Sequence, residues 1–127
     1  MLVHLSVDDL GLIEHAELEM GTGLQVLTGD TGVGKSMLLA SMAILRGDRT
    51  RSDVVRTGCQ KAVVRGIFHL SESNAVRISE QLGISVEEDE LIIEREIFRE
   101  ARSRCRIDGR ESTTTLLKRI APLLIEV

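Results

Sequence analysis

The eight residues Gly29-Asp30-Thr31-Gly32-Val33-Gly34-Lys35-Ser36 constrain this chain more than any other stretch. They fit the pattern Gly-x-x-x-x-Gly-Lys-Ser/Thr without a departure. At average composition, a chance fit in a chain of 127 residues has a frequency under about one per cent. The apolar run Leu24-Gln25-Val26-Leu27-Thr28 enters the motif as a short strand. A helical pattern leaves it, with Met37, Leu38, Ala40, Met42, Ala43, Ile44 and Leu45 apolar nearly all round. Such a helix is expected to be buried on most sides, with Gly47 as its stop signal. Strand, glycine-rich turn and helix in this order commit the chain to an α/β fold.

Each residue type in the motif answers a need of a polyphosphate, a dense negative cluster that requires converging donors. Gly29, Gly32 and Gly34 let the backbone fold tightly and turn its N–H groups inward. The following helix adds unpaired N–H groups and the positive end of its dipole. Lys35 supplies a mobile charge to the β- and γ-phosphates, and Ser36 offers a hydroxyl to a bridging Mg²⁺. Thr31 and Val33 fill the variable positions. Asp30 is an acid beside a phosphate loop; it is read as contributing its N–H inward while its side chain points outward, not as a catalytic group.

Composition narrows the setting. Apolar residues make up 43% and charged residues 28%, which excludes a disordered tail. A chain of this length can bury about two-thirds of its unfolded surface. A net charge of −4 argues against a whole-domain nucleic-acid binder, and Phe68 and Phe98, without Trp or Tyr, give few base-stacking candidates. No apolar run reaches membrane-spanning length and the N-terminus has no basic region or cleavage site, so no membrane association and a cytoplasmic location are expected. Cys59 and Cys105 lack metal or redox spacing and are read as reduced thiols.

Val3, Leu5 and Val7 alternate with polar residues, as do Ala16, Leu18 and Met20, predicting an antiparallel strand pair before the turn Gly21-Thr22-Gly23. Residues 47–61 read as a polar surface loop. Ala62 to Leu70 reads as a strand with Val64, Phe68 and Leu70 on one side. Ser73 or Asn74 is expected to cap a helix ending near Leu82, before Gly83. Leu91 to Phe98 and Ser103 to Ile107 read as strands, with Asp108-Gly109 as a turn. Ser112 or Thr113 is expected to cap a helix to about Ile120, before Pro122. Leu123-Leu124-Ile125-Glu126-Val127 reads as the start of a buried strand. A chain that stops in such a run reads as a piece of a longer polypeptide, the alternative being an edge strand at a true terminus.

Phosphoryl transfer also needs an acid that holds Mg²⁺ at the end of an apolar strand. Glu126 follows no such complete run, and Glu94, after Leu91-Ile92-Ile93, reads as a solvated or paired strand residue. Enzymatic turnover by this segment alone is therefore left open. Arg102, Arg104 and Arg106 alternate on one strand face, with Arg99 and Arg110 nearby, while Ser103, Cys105 and Ile107 are expected to face inward. The arginines suit a ribbon for DNA phosphates or a solvated face balanced by Glu94, Glu96, Glu100 and Asp108, and the nearby acids favour the second. His4, His15 and His69 have no ligand-like spacing.

Several stretches together resemble the N-terminal part of the RecN family, bacterial DNA-repair ATPases related to the structural-maintenance-of-chromosomes (SMC) proteins. They are Leu2-Val3-His4-Leu5-Ser6-Val7 with Leu12-Ile13-Glu14, and Thr28 to Ser36, similar to a Thr-Gly-Glu-Thr-Gly-Ala-Gly-Lys-Ser form. Leu45-Arg46-Gly47-Asp48-Arg49 with Val55-Arg56-Thr57-Gly58, and Arg104 to Arg110 with Asp108 where Asn is usual, extend the resemblance over nearly the whole chain. It implies residues 1–127 as the N-terminal lobe of a P-loop, ABC-type ATPase head: a mixed sheet with antiparallel strands and a buried P-loop helix. It further implies ATP with Mg²⁺, a C-terminal half of the same head, a second head in an ATP-dependent dimer, and DNA contact through the full-length protein. The site residues it carries over are Gly29 to Ser36; Arg56 matches a family position without an assigned role. The family's Walker B acid, catalytic Glu and signature motif lie outside these residues. Nucleoid association is compatible with it. The competing readings are a stand-alone nucleotide-binding module without turnover and another P-loop ATPase, RecF-like, SMC-like or of a transporter. The strand pair ahead of the loop and the acid-Thr-Gly form of the loop favour RecN.

Overall fold

The computed structural model describes residues 1–20, 24–26, 31–86 and 89–124. Strands β1 (Leu2–Leu10) and β2 (Ile13–Met20) form the expected antiparallel pair, joined by a two-residue turn at Gly11-Leu12. A three-residue strand β3 (Leu24–Val26) pairs antiparallel with β2. Helix α1 (Thr31–Leu45) follows, then a 3-10 turn at Ser52–Val54. Strand β4 (Lys61–His69) precedes helix α2 (Glu72–Leu82), and strands β5 (Glu90–Phe98), β6 (Arg104–Ile107) and β7 (Arg110–Ser112) precede helix α3 (Thr114–Leu124). Sheet order is β3-β2-β1-β4-β5-β6-β7.

Every pairing between these strands is antiparallel, so among the described residues the sheet is antiparallel, not mixed. Short turns join β1 to β2 and β6 to β7, and antiparallel neighbours need no long crossover. One face, carrying Leu5, Val7, Leu18, Val64, Phe68 and Ile93, is fully buried against the helices. Alternation would turn Leu2 and Leu10 away from that face, yet both are buried. A bulge between Leu2 and His4 and a left-handed Asp9 (φ 54°) reset the parity at the two ends of β1.

The opposite face is polar. Arg106 bridges Glu94 at 3.2 Å and Glu96 at 2.5 Å, and Lys61 reaches Glu96 at 3.3 Å. Glu94 is thus a paired strand residue, as its sequence context suggested.

The helix boundaries differ from expectation in instructive ways. Helix α2 starts two residues early: Ser71, not Ser73 or Asn74, is the cap, its hydroxyl accepting from the Asn74 N–H at 3.2 Å. Thr113 caps α3, its hydroxyl accepting from the Leu116 N–H at 3.1 Å. That helix runs through Pro122 instead of ending near Ile120, and Leu123 and Leu124 are helical, not the start of a strand. Proline lacks the N–H that would reach the Lys118 carbonyl. Burial along Leu117, Ile120, Ala121 and Leu124, one helical stripe, outweighs that loss. Asn74 of α2 donates to the Leu123 carbonyl, in the last turn of α3, at 3.2 Å. Residues 125–127, the rest of the expected strand, and Gly21-Thr22-Gly23 lie outside the described residues.

Among the residues of α1 whose burial is described, the helix is not buried on most sides. Ser41, Ile44 and Leu45 are buried, while Ser36 and Ala40 are exposed and Leu39 is 65% exposed. Segment 47–61 is not wholly a surface loop: Val55 is buried and bridges Leu10. Among the described residues no helix is long and apolar enough to cross a membrane.

Candidate functional site

Strand β3 precedes the glycine-rich motif, and helix α1 contains its last six residues. Gly29 and Asp30 lie outside the described residues, and the backbone from Thr31 through Gly32, Val33, Gly34, Lys35 and Ser36 is already helical. No acidic residue occupies the first turn of α1. Ser36 is exposed, as a hydroxyl offered to an external ion must be. Among the described residues no group of three or more His, Cys, Asp or Glu is placed to hold a metal.

The C-terminal end of α1 is fixed in detail. The Asp48 N–H donates to the Ala43 carbonyl at 3.2 Å and the Gly47 N–H to the Ile44 carbonyl at 3.1 Å, a Schellman closure with Gly47 at φ 91°. Beneath this end lies Arg95 of β5, 1% exposed and on the core face between Ile93 and Ile97. Its Nη1 donates to the Ile44 carbonyl at 2.7 Å and to the Asp48 carbonyl at 3.4 Å. Its Nη2 donates to the Ser103 hydroxyl at 3.3 Å. Burial pulls the guanidinium below its ordinary value, opposed by Cys105 and Asp48. Burial also pushes up the thiol of Cys105, which lies opposite Arg95 on β6, and the arginine's charge counteracts the shift.

A second arginine organises the loop after α1. Arg99 Nη2 donates to the carbonyls of Val55 at 2.8 Å and Arg56 at 3.0 Å, and its Nε to that of Cys59 at 3.0 Å. The Arg56 N–H is held in turn by the Asp9 carbonyl at 2.8 Å. Arg56 therefore sits on a backbone fixed from two sides.

The row Arg102, Arg104, Arg106 is not one uniform cationic surface. Arg104 is exposed and lies over the Phe98 ring, 5.9 Å from its centroid, whereas Arg106 is committed to Glu94 and Glu96. Cys105 and Ile107 face inward as expected; Ser103 is exposed, before β6 begins. Asp108 spends a carboxylate oxygen on the Ile92 N–H at 2.8 Å, and Arg99 is turned toward loop carbonyls. Cys59 and Cys105 are both free thiols.

Sequence reasoning missed Arg95. The signal was there: Leu91, Ile93, Arg95 and Ile97 share one strand parity, so the arginine stands where an apolar residue belongs.

No family model matches the sequence. The chain is 34% identical over 128 residues to the DNA repair protein RecN of Halalkalibacterium halodurans and to that of Bacillus subtilis, and 33% identical over 124 residues to that of Streptomyces coelicolor. These matches take in 100%, 100% and 97% of the chain, but it spans only 23%, 22% and 22% of the relatives' length. Among solved structures, an SMC ATPase studied for ATP-driven dimerization and DNA-stimulated activation superposes with a TM-score of 0.74 at 18% identity, covering 98% of this chain and 81% of that one. The Smc head domain of Pyrococcus furiosus gives 0.74 at 18% identity, covering 94% and 32%. The recombination mediator RecF gives 0.64 at 18% identity, covering 92% and 29%. Over its length the chain fits an N-terminal segment of the DNA repair protein RecN, with the fold of the N-terminal part of SMC and RecF ATPase heads.

Proposed function

We propose that residues 1–127 are the ATP-binding lobe of a RecN-like ATPase that acts in recombinational repair of DNA double-strand breaks. The observation that carries the reading is the uninterrupted Gly29 to Ser36 motif, which follows β3 and runs into α1, in a chain similar to RecN over its whole length. In this reading the backbone N–H groups of residues 29–34 would donate to the phosphates, Lys35 would neutralise them, and Ser36 would hold a Mg²⁺. Bound Mg²⁺ supplies charge neutralisation at the phosphate oxygens.

The exposed side of α1 at Leu39 and the edge strand β3 support a C-terminal half of the same head as the next layer of structure. A second head joined through ATP, DNA contact through the full-length protein and a cytoplasmic location complete the proposal. The SMC neighbour's ATP-driven dimerization and the solved RecF–ATP complex support ATP as the ligand.

The test is titration calorimetry of MgATP into the intact protein and its Lys35→Ala variant. Loss of most of the affinity in the variant is expected, and unchanged binding rejects the phosphate-loop assignment. Binding without any turnover in the intact protein would favour the nucleotide-responsive module instead.

A further inference from the structure

The most unusual group in the molecule is a cation in the core. Arg95 is 1% exposed and no carboxylate lies within ion-pair distance of it among the described residues. What compensates its charge is the Ile44 carbonyl at the negative end of the α1 dipole, the Asp48 carbonyl just beyond the helix, and the nearby side chains of Cys105 and Asp48. Its Nε has no partner among the described residues. Burying a charge this way costs stability, and a well-packed apolar side chain of similar volume is often neutral or better. The neighbours Ile93, Ile97, Val64 and Cys105 would accept one.

The position gives the arginine something to do. Helix α1 is a rod whose far end, about 20 Å away at 1.5 Å per residue, follows the phosphate loop. Arg95 grips its near end, and the same guanidinium holds Ser103 in the connection between β5 and β6. Where that fork sits decides where the whole rod lies on the sheet.

We propose that Arg95 is a positioning residue for nucleotide binding: from β5 it seats the C-terminal end of α1 and ties it to Ser103, so that the helix presents its N-terminal end to the phosphates in the binding register. This rests on the nucleotide reading above.

The test is MgATP calorimetry together with thermal unfolding, on the intact protein and its Lys35→Ala, Arg95→Met and Arg95→Lys variants. A wild type that binds MgATP and a Lys35→Ala variant that does not establish the nucleotide reading; a wild type that fails to bind overturns that reading and this proposal with it. Given binding, Arg95→Met is expected to melt no lower than the wild type yet to bind about tenfold more weakly, since small misplacements of binding groups are costly. A structural filler would show no such split. Arg95→Lys keeps the charge but loses the planar fork, and is expected to bind several-fold more weakly. Wild-type affinity in Arg95→Met overturns the proposal. If that variant does not fold, wild-type affinity in Arg95→Lys overturns it, and weakened affinity sustains it.

Discussion

Arg99 donates to the Val55 carbonyl at 2.8 Å, across 44 residues of sequence, and thereby closes the loop that follows α1 onto the end of β5. Two more carbonyls, of Arg56 and Cys59, accept from the same guanidinium. Hydrogen bonds from a charged donor contribute more than neutral ones, so Arg99→Ala is expected to cost about 2 kcal/mol. The loop should loosen before the core does. Cys59, half-buried in that loop, is the reporter: a thiol reagent should modify it several-fold faster in Arg99→Ala. Cys105, buried and with its thiol pushed up by burial, should stay slow in both proteins. An unchanged Cys59 rate would mean that the clamp does not hold the loop.

Gly66 of β4 leaves room for Leu45 of α1. A Cβ there would stand 2.7 Å from Leu45 Cδ1, 3.0 Å from Phe68 Cε2 and 3.2 Å from Leu2 Cδ1. All three neighbours are buried, so none can swing away into solvent. Gly66→Ala is expected to destabilise by about 1–3 kcal/mol, the usual range for overpacking. Denaturant unfolding measures it, and a variant as stable as the wild type would show that Leu45 can repack.

Strand β4 was legible because its alternation is clean: Val64, Phe68 and Leu70 fall on the buried side as their spacing requires. The glycine-rich motif was legible because phosphate binding restricts residue types at fixed positions, and the helix stop at Gly47 because few residues close a helix so well. Pro122 misled because local backbone chemistry argues for a stop, whereas the decisive fact is a tertiary one, the buried stripe from Leu117 to Leu124. The α2 cap was misplaced because Ser71, Ser73 and Asn74 are all good caps, and only packing of Ala75 and Ile78 chooses among them. Arg95 and Arg99 were illegible as clamps because their partners are main-chain carbonyls 40 to 51 residues away, which leave no side-chain signature.

The β6–β7 turn makes a sharper test of turn chemistry. Asp108 and Gly109 both have positive φ, 51° and 81°, in a two-residue connection of the type I′ kind. Asp108 also accepts from the Ile92 N–H and donates its own N–H to the Ile92 carbonyl, each at 2.8 Å. Asn keeps the acceptor and tolerates the left-handed conformation. Asp108→Asn is therefore expected to stay within about 0.5 kcal/mol of the wild type. Asp108→Ala loses the acceptor and strains the turn, and should cost about 2 kcal/mol by chemical denaturation. Equal stabilities for the two variants would remove the side chain's role.

On the outer face of the β1–β2 pair, His15 Nδ1 lies 2.6 Å from an Asp8 carboxylate oxygen, and Glu17 stands 3.9 Å from Nε2. The hydrogen bond to Asp8 raises the His15 pKa above its ordinary 6.5; desolvation opposes it, and the charges of Asp8 and Glu17 add to the rise. A folded-state pKa above the unfolded one means that the folded protein binds the proton more tightly. The pair's contribution to stability is then complete below about pH 6.5 and fades as pH rises through the folded-state pKa. Asp8→Asn should remove most of the shift, because it removes the charge and leaves only a neutral amide oxygen, which favours the protonated ring far less than a carboxylate does. Following the His15 ring protons by NMR across pH 5 to 9 should give a midpoint above the ordinary histidine value in the wild type and a lower one in Asp8→Asn. Coincident midpoints would show that solvent screens the pair completely at this exposed position, and stability would then carry no His15 signature between pH 6 and 8.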